Sequence, residues 1–541
     1  MASSDQDRPQ SSNPIDHPLV GVALLLLLWC AGFFYSLMEH GFPSPAIHDE
    51  FSYLLAGETY AEGRLTNPSP PVPESFQSFH MLVEPSYMSK YLPGVGLQLA
   101  VGFLLGHPII GVWLTVGLIV LASYGMLLRP VGPRVALLAG VYCLVQYGLA
   151  SYFGFSYWGG SLSLLAGVLV FGAALRLEER PDVWASIAYG MGASLMLWTR
   201  PVEGGLFCLV ITLYLLIRMF SAEPKSAVLR VLRTFWPGGL VLFGAVMFLL
   251  VSNQAVTGDA GRFGYEIYTE RFGTMNLFTW DGRKEISDDL PEVFQQTSLA
   301  HRTQRPYSIS ELLQTGGPEL FRWFTRIVHP LWLIPVAFFL FGGTKKYRRW
   351  LVPIWILLLL RVGFTLAFHS SHHLHYTAAW AAPMIFAGSV GLWDLFQRWK
   401  ESENRFGAIA FVSVFVAVLG LQVLYFFHFS WGNSPFPVRT FIEQRAEVKS
   451  RLILDPAEAL ARDLVFVQYR SSHSPTFEWV YNGPNLNEQE IIWARYLDDQ
   501  KADQLSEAFP ERRLWLLEVG SLREPYSLER YSPDEPADVG E

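Results

Sequence analysis

Long apolar segments of about twenty residues recur along most of this sequence, and they restrict its fold more than any other feature. A helix of about twenty mostly apolar residues can cross a bilayer. Only 16% of the 541 residues are charged, whereas a soluble protein has about 25%. We therefore predict an all-α polytopic membrane protein with about eleven transmembrane helices and a small C-terminal α/β extramembrane domain. The predicted spans are residues 19–38, 108–128, 135–153, 157–175, 184–199, 203–219, 235–254, 328–343, 350–368, 376–396 and 407–429.

The distribution of Lys and Arg between the spans predicts how the chain is oriented. The gaps after even-numbered spans are basic, whereas the short gaps after odd-numbered spans carry almost no Lys or Arg. Because cytoplasmic loops are enriched in these residues, the N-terminus is predicted to be cytoplasmic and the C-terminal domain extracytoplasmic. The basic residues are Arg129, Arg134, Arg176, Arg180, Arg218, Lys225, Arg230, Arg233, Lys345, Lys346, Arg348, Arg349, Arg398, Lys400 and Arg405.

One apolar segment, Pro93 to Gly106, is only about fourteen residues long, which is short for a span. Counting it as a span would also move the cluster Lys345–Arg349 to the outer face. We therefore predict an interfacial or re-entrant helix there. The resulting organisation is a disordered cytoplasmic N-terminus over 1–18, a transmembrane domain over 19–430 with outer loops 39–92 and 252–327, and an extracytoplasmic domain over 431–541.

The C-terminal region has the pattern of a small α/β domain. Leu464–Tyr469 and Leu514–Val519 are strand-like. Between them, Asn487 could cap a helix, because Glu490 follows three residues later.

Two charged positions in the first outer loop are candidates for chemistry. Asp49 and Glu50 follow the first span by about ten residues, and a carboxylate at the mouth of an apolar groove can act as a general base. The alternative is a helix start, where the dipole favours acids. Lys90 precedes the interfacial helix, where it could meet a lipid phosphate or simply extend to the interface.

The acidic pair, the stretch SKYLPGVGLQLAVGFLLG and the following helix with a basic turn together resemble the GT-C superfamily of membrane glycosyltransferases. The pattern is similar to the protein mannosyltransferase and aminoarabinose transferase group, which is of the glycosyltransferase family 39 type. The resemblance implies a GT-C-like transmembrane domain and a polyprenyl-phosphate sugar donor. It also implies hexosyl or pentosyl transfer, by one inverting displacement, to a glycan, lipid or protein acceptor. We expect the protein in a bacterial inner membrane.

The resemblance also implies residue roles. Asp49 resembles the catalytic base, with Glu50 as helper or substitute. Glu84 and Lys90 match acidic and basic positions near the acceptor and the donor phosphate, and Tyr91 lies beside them as a substrate contact. The sequence departs from the family in the loop Ser151–Tyr157, which has no acid. A second carboxylate role, or a metal shared with it, is therefore not carried over.

Further candidates lie in later outer segments. Arg200 is at a junction between spans and could contact the donor phosphate, or form a salt bridge with Glu203. In the second outer loop, Tyr265, Tyr268 and Arg271 suit a sugar or a phosphate. The tyrosines could equally be a core stripe at helical spacing.

Four histidines occur between residues 369 and 375. His373 and Tyr376 could share a helix face and bind the donor phosphate. Metal binding and a structural role are the alternatives, although zinc usually needs a second contributing segment. No cofactor is required by the pattern, no metal ligand is assigned, and a divalent cation stays open.

Two other classes of function stay open as well. A transporter or lipid flippase places ionisable groups near the middle of the membrane. Arg361 is the notable charge inside a predicted span, where it could pair with a carboxylate or line a groove. A non-catalytic assembly protein would not need the acidic pair. Nucleic-acid binding is not expected, because the chain has no basic stripe with interleaved aromatics.

Overall fold

The computed structural model describes residues 14–222, 225–272, 294–295, 309–342, 345–367, 374–402, 405–426, 436–453, 462–474 and 476–532. Among these, seven helices are long and apolar enough to cross a membrane, or eight if a bent pair counts as one span. The helical polytopic membrane fold is thereby confirmed, and the count of about eleven stays a prediction. Two further helices, Val183–Thr199 and Leu351–Ala367, have 17 residues each.

The helices of the membrane part agree closely with the predicted spans. Their bounds are α1 Pro18–His40, α2 His48–Ala61, α3 Pro93–Leu104, α4 Ile109–Leu144, α5 Tyr152–Phe155, α6 Gly160–Glu179, α7 Val183–Thr199, α8 Pro201–Ala222, α9 Ala227–Thr257, α10 Gly264–Phe272, α11 Ile309–Trp323, α12 Pro330–Gly342, α13 Leu351–Ala367, α14 Ala381–Glu401 and α15 Arg405–Tyr425. As predicted, α3 is a short apolar helix of 12 residues.

Helix α4 contains two predicted spans that are joined at Gly132. This glycine has φ 78° and ψ 168°, which breaks the helical path. Before it, α4 runs antiparallel to α1, because Tyr124 donates to the Pro18 carbonyl and Trp29 donates to the Trp113 carbonyl. After it, Gly140 packs on Leu25 and Leu149 packs on Gly32, so the second half runs parallel to α1. The chain therefore turns back at Gly132, as the sequence predicts between residues 128 and 135.

The buried carboxylate of Glu178 joins three helical segments at one end of the bundle. It lies 3.2 Å from Arg218 Nε and 3.0 Å from Arg349 Nε. Tyr214 and Trp350 donate to it at 2.8 and 2.9 Å. Basic residues from separate predicted gaps therefore meet at one end, which we call the Glu178 end.

The opposite end carries the first outer loop, and we call it the Asp49 end. Helix α7 starts beside the Glu178 end and finishes at the other, where Arg200 follows it. Helix α2 crosses α3 closely: Gly57 faces Leu99 and Gly96 faces Tyr60. Glycines allow this close approach because they have no side chain to separate the two helices.

The predicted span 328–343 corresponds to only the second helix of the bent pair, Gly316–Val328 and Pro330–Gly342. Helix α12 has 13 residues, and its axis is bent by 98° from the preceding helical segment, Gly316–Val328. A π-helical turn, Phe324–Val328, ends that segment. It is fixed by Tyr142, which donates to the Val328 carbonyl at 2.7 Å.

The C-terminal domain contains helix α16, Phe436–Ile453, and a four-stranded sheet in the order β4-β3-β5-β6. Strands β4 and β5 are parallel to β3, and β6 is antiparallel to β5. The two predicted strands are confirmed as β3 and β5. The strands are β3 Arg462–Tyr469, β4 Ile491–Arg495, β5 Arg512–Val519 and β6 Ser527–Arg530; the first outer loop holds the short pair β1 Met81–Leu82 and β2 Met88–Ser89.

The prediction of a helix capped by Asn487 is wrong. A single 3-10 turn covers Leu486–Glu488, and strand β4 follows, because its apolar residues pair with β3 and are buried there. The helix of this region is α17, Asp499–Ala508. Asp498 caps it by accepting the Lys501 backbone N–H at 2.8 Å.

The C-terminal domain packs directly on the first outer loop and on α2. The rings of Phe51 and Tyr481 lie 4.2 Å apart, and Tyr87 donates to the Asn482 carbonyl at 3.2 Å. The Arg445 guanidinium lies 5.2 Å from the Phe51 ring. Because Phe51 follows Asp49 and Glu50 by one helical turn or less, the domain supports the helix that carries the acidic pair.

Candidate active site

Glu50 fixes the start of helix α2. Its Oε2 atom accepts the backbone N–H groups of Ala46 at 2.9 Å and Ile47 at 3.4 Å. Its Oε1 atom accepts the Tyr157 N–H at 3.1 Å. Glu50 therefore also contacts the loop Ser151–Tyr157, which contains no acidic residue. Burial raises the pKa of Glu50, and these hydrogen bonds oppose the rise. Glu50 therefore positions its neighbour Asp49, and its helper role in catalysis stays a prediction.

Both carboxylate oxygens of Asp49 have polar side chains beside them. Tyr91 donates from its hydroxyl to Oδ1. Oδ2 lies 3.0 Å from His48 Nδ1 and 3.6 Å from His80 Nε2. Burial disfavours ionisation, but the charges and hydrogen bonds of His80, His48 and Tyr91 outweigh it and hold the pKa of Asp49 well below its usual value. Asp49 is therefore ionised at neutral pH.

His80 is a site residue that sequence reasoning missed. Its backbone has φ 64°, which a residue with a side chain rarely adopts. The conformation is held at the His80 carbonyl, which accepts from Ser52 Oγ at 2.6 Å and from Lys90 N at 3.1 Å. His48 was also missed, although it stands directly before Asp49 in the sequence. The local sequence gives no signal that would bring His80 to Asp49.

Lys90 lies in a cage of tyrosine rings. Its Nζ atom is 4.0 Å from the Tyr268 ring centroid, 5.2 Å from that of Tyr265 and 5.3 Å from that of Tyr91. The residue is only 8% exposed. Burial lowers the pKa of Lys90 to about 7, and the charge of Asp49 opposes this. The rings stabilise the cation through their negative faces.

Two glycines bring other elements against the Lys90 segment. A Cβ at Gly94 would lie 2.8 Å from the Trp198 carbonyl oxygen, so the end of α7 contacts the start of α3 there. A Cβ at Gly264 would lie 2.9 Å from the Lys90 carbonyl oxygen. The first approach brings the segment carrying Arg200 to the site, and the second places helix α10 with its tyrosines over Lys90.

Arg200 faces an aromatic surface. Its guanidinium carbon lies 3.8 Å from the Tyr376 ring centroid. Among the described residues, no carboxylate of Glu203 lies within 4.0 Å of Arg200, so the alternative salt bridge is not formed. Tyr53 stacks on Tyr91 with ring centroids 4.3 Å apart. Arg200 acts electrostatically on Tyr53, whose ring is thus linked through Tyr91 to the Lys90 cage.

The structure brings together most of the residues that the sequence predicts. The residues that converge at the Asp49 end are Asp49, Lys90, Tyr91, Arg200, Tyr265, Tyr268 and Tyr376. Glu84 and Arg271 instead pair with each other at 3.5 Å on the surface. Their direct contact with substrate stays a prediction, and His373 lies outside the described residues.

His48, Asp49 and His80 could also hold a divalent cation. Three possible ligand atoms, one from each residue, all lie within 4.8 Å of one another. Two imidazoles and one carboxylate suit a divalent transition-metal ion. Such an ion would supply Lewis-acid stabilisation of a phosphate oxygen.

Comparison with known proteins gives similarity in structure alone. No family model and no curated protein matches the sequence. The chain is similar to the apo form of the Archaeoglobus fulgidus oligosaccharyltransferase, with 11% identity, a TM-score of 0.45, and 96% of this chain and 74% of that one covered. It is similar to AglB of the same organism with an inhibitory peptide and a dolichol-phosphate, with 10% identity, a TM-score of 0.42, and 96% and 75% covered.

A third similar structure is ArnT from Cupriavidus metallidurans bound to undecaprenyl phosphate. Its identity is 14% and its TM-score 0.32, with 92% of each chain covered. What this chain does is inferred below from its own site.

Proposed function

We propose that this chain is an integral membrane glycosyltransferase that moves a sugar from a polyprenyl-phosphate donor to a glycan, lipid or protein acceptor. One observation carries the proposal: an ionised carboxylate, Asp49, the buried cation Lys90 and the partly buried cation Arg200 lie beside tyrosine rings at one end of the membrane helices. The sequence resemblance suggests the reaction class, and the geometry supports the residue roles proposed below.

Lys90 and Arg200 bind the donor phosphate in this mechanism. As the sugar leaves, negative charge develops on the phosphate oxygens, and fixed cations stabilise it. Asp49 acts electrostatically on Lys90 and Glu203 on Arg200, but among the described residues neither cation has a carboxylate within 4.0 Å. Both cations therefore remain able to bind an anionic group.

Asp49 takes the proton from the acceptor. The acceptor oxygen attacks the anomeric carbon, the bond from that carbon to the phosphate oxygen breaks, and the anomeric configuration inverts. The proton passes to the Asp49 carboxylate, and the imidazoles of His48 and His80, 3.0 and 3.6 Å from Oδ2, hold that group ionised before the transfer. Tyr91 holds the other oxygen and orients the carboxylate.

The tyrosines bind the sugar. Tyr53, Tyr91 and Tyr265 are adjacent rings, with Tyr91 and Tyr265 in edge contact at 5.4 Å. Such rings offer apolar faces to the C–H groups of a sugar and hydroxyls to its oxygens. Acceptor choice is assigned to the C-terminal domain and second outer loop, which border the site.

We infer the orientation from charge. Arg218 and Arg349, from two predicted basic gaps, lie at the Glu178 end, and the positive-inside rule favours a cytoplasmic position for that end. The site then faces the extracytoplasmic side of a bacterial inner membrane.

A donor panel tests the proposal. Purified protein in nanodiscs is incubated with polyprenyl-phosphate-linked hexoses and pentoses, and the released polyprenyl phosphate is measured. We expect release from at least one donor, with an inverted anomeric carbon in the product. Binding of donors without release, together with lipid movement between leaflets, would instead support the flippase alternative.

A further inference from the structure

Arg361 is a charged residue inside the membrane part that the proposed reaction does not use. It lies on α13, six residues before the helix ends at Ala367 and therefore about 9 Å from that end. Only 1% of its surface is exposed. A charged arginine is unfavourable in the bilayer interior, and such residues usually face a functional path or a partner.

The neighbours of Arg361 accept hydrogen bonds from only some of the donors on its guanidinium group. Nη1 donates to Thr365 Oγ1, one turn further along the same helix. The guanidinium carbon lies 5.6 Å from the Trp323 ring. Nε is buried and has no hydrogen-bond partner among the described residues. At least one donor therefore remains for a ligand.

No acid neutralises Arg361 at close range. Glu319 on α11 acts on it electrostatically, but within the described segments no carboxylate lies within the 4.0 Å of an ion pair. Glu319 has its own cation, Arg322, at 4.0 Å. The positive charge of Arg361 is therefore incompletely compensated, which favours an anion as the missing partner.

The surroundings indicate what else that anion carries. Leu359 and Phe321 lie two residues from Arg361 and from Trp323, on other faces of the same two helices, where they are 67% and 69% exposed. Apolar side chains this exposed on membrane helices face the bilayer, so the buried Arg361 lies on helices that border lipid. A phosphate joined to a long hydrocarbon chain suits this position better than a free ion, because its chain can remain in the bilayer beside these helices.

Further arginines connect this position to the active site. Trp323, which contacts Arg361, is followed by the turn that carries Arg326. Arg326 and Arg200 both act electrostatically on the hydroxyl of Tyr152. Arg326 therefore follows the ring beside Arg361 by three residues and acts on the same tyrosine as Arg200.

We propose that Arg361 binds the phosphate of a polyprenyl phosphate at a second position in the membrane part, separate from the phosphate position at Lys90 and Arg200. The inference rests on the proposed function, because the lipid is the carrier of that reaction. The position holds the carrier before it reaches the active site or after it has left.

Counting bound lipid tests this inference. Wild-type protein, Arg361→Gln, Arg361→Lys and Lys90→Gln are placed in phosphatidylcholine nanodiscs and titrated with a long-chain polyprenyl monophosphate, and bound copies are counted by native mass spectrometry. Wild type should bind two copies, and Arg361→Gln and Lys90→Gln one each. Arg361→Lys should bind the second copy roughly tenfold more weakly, because an ammonium lacks the planar donor set.

Control variants and competing ligands show whether the second bound lipid depends on its phosphate contacting Arg361. Arg398→Gln changes an exposed arginine and should bind two copies. Inorganic phosphate and the uncharged polyprenol should not displace the second copy; displacement by inorganic phosphate would overturn the assignment to a lipid. Arg361→Lys keeps the positive charge. Retained but weaker binding in this variant would show that the loss in Arg361→Gln does not come from a folding defect.

The possible failures are distinguishable. Two bound copies in folded Arg361→Gln overturn the inference and leave the proposed function intact. One copy in wild type that Arg361→Gln loses supports the inference and contradicts phosphate binding at Lys90. No bound lipid in wild type, with no donor turnover in the same nanodiscs, overturns both.

Discussion

The ammonium of Lys90 lies 4.0 Å from the centroid of the Tyr268 ring, and burial in this cage lowers the pKa of Lys90 to about 7. The groups facing it are the rings of Tyr91, Tyr265 and Tyr268 and the charge of Asp49. A lowered lysine pKa means that the cation is present below about pH 7 and lost above it.

Donor capture should therefore weaken as pH rises through about 7. In wild type we expect kcat/KM for the donor to fall on the alkaline side. Lys90→Arg stays charged and should retain activity to higher pH, even if its maximum is lower. An identical alkaline limb in both proteins would show that Lys90 does not set the profile.

Tyr91→Phe should impair the reaction without impairing the fold. The hydroxyl that donates to Asp49 Oδ1 is lost, while the ring stacked on Tyr53 remains. A hydrogen bond to a charged group contributes about 1.5–3 kcal/mol, so kcat should fall roughly tenfold to a hundredfold. Tyr214→Phe removes a comparable bond to Glu178 at the other end and should leave kcat unchanged.

Gly94→Ala should reduce activity through position alone. The new Cβ would be 2.8 Å from the Trp198 carbonyl oxygen, so the segment with Arg200 must move. Such overpacking costs about 1–3 kcal/mol of stability, and we expect a higher KM for the donor. Gly205→Ala meets no atom within 4 Å in helix α8 and serves as the control. Equal kinetics for both variants would contradict the positioning role of Gly94.

Glu178→Gln should destabilise the protein without touching the site. Arg218 and Arg349 would lose the buried carboxylate that joins α6, α8 and the segment before α13. Both arginines are partly exposed, so we expect a loss of about 1–3 kcal/mol, below the 3–5 of fully buried pairs. Glu179→Gln removes an exposed partner of Arg129 at 3.7 Å and should change the unfolding midpoint little. Thermal unfolding in detergent measures both.

Chelation tests the alternative use of His48, Asp49 and His80. An ion on these ligands would occupy the Asp49 oxygen that receives the proton, and a lipid phosphate leaves readily without a metal. We therefore expect a chelator to change turnover by less than about twofold. Loss of activity that Mn²⁺ or Zn²⁺ restores would assign the three residues to a metal and remove Asp49 as the base.

The sequence predicts much of this fold because membrane spans leave a strong local signal. The lengths of the apolar segments, and the basic residues in the gaps between them, predict the helices. The predicted gap between residues 128 and 135 is confirmed, because the chain turns at Gly132. The wrong helix at Asn487 shows the limit. There a local capping pattern competes with strand pairing to β3, which depends on residues distant in the sequence.

Only those site residues that lie next to a recognisable helix in the sequence could be predicted. Asp49 and Lys90 flank helices, so their place at one end of the bundle is predictable. His80 reaches Asp49 through a left-handed backbone, and Arg200 reaches the Lys90 segment through a contact at Gly94. Tertiary contacts of this kind leave no periodic pattern.

The most direct test of the central claim is a single-turnover comparison of wild type with Asp49→Asn, using a donor that wild type cleaves. The comparison is made well below pH 7, where Lys90 is protonated, because the Asp49 charge helps to keep it so. Both proteins should then bind polyprenyl phosphate, and sugar transfer by Asp49→Asn should be about a hundredfold to ten-thousandfold slower. Glu179→Gln, an acid changed at the opposite end, should transfer at the wild-type rate. Transfer by Asp49→Asn at the wild-type rate would contradict the assignment of Asp49 as the base.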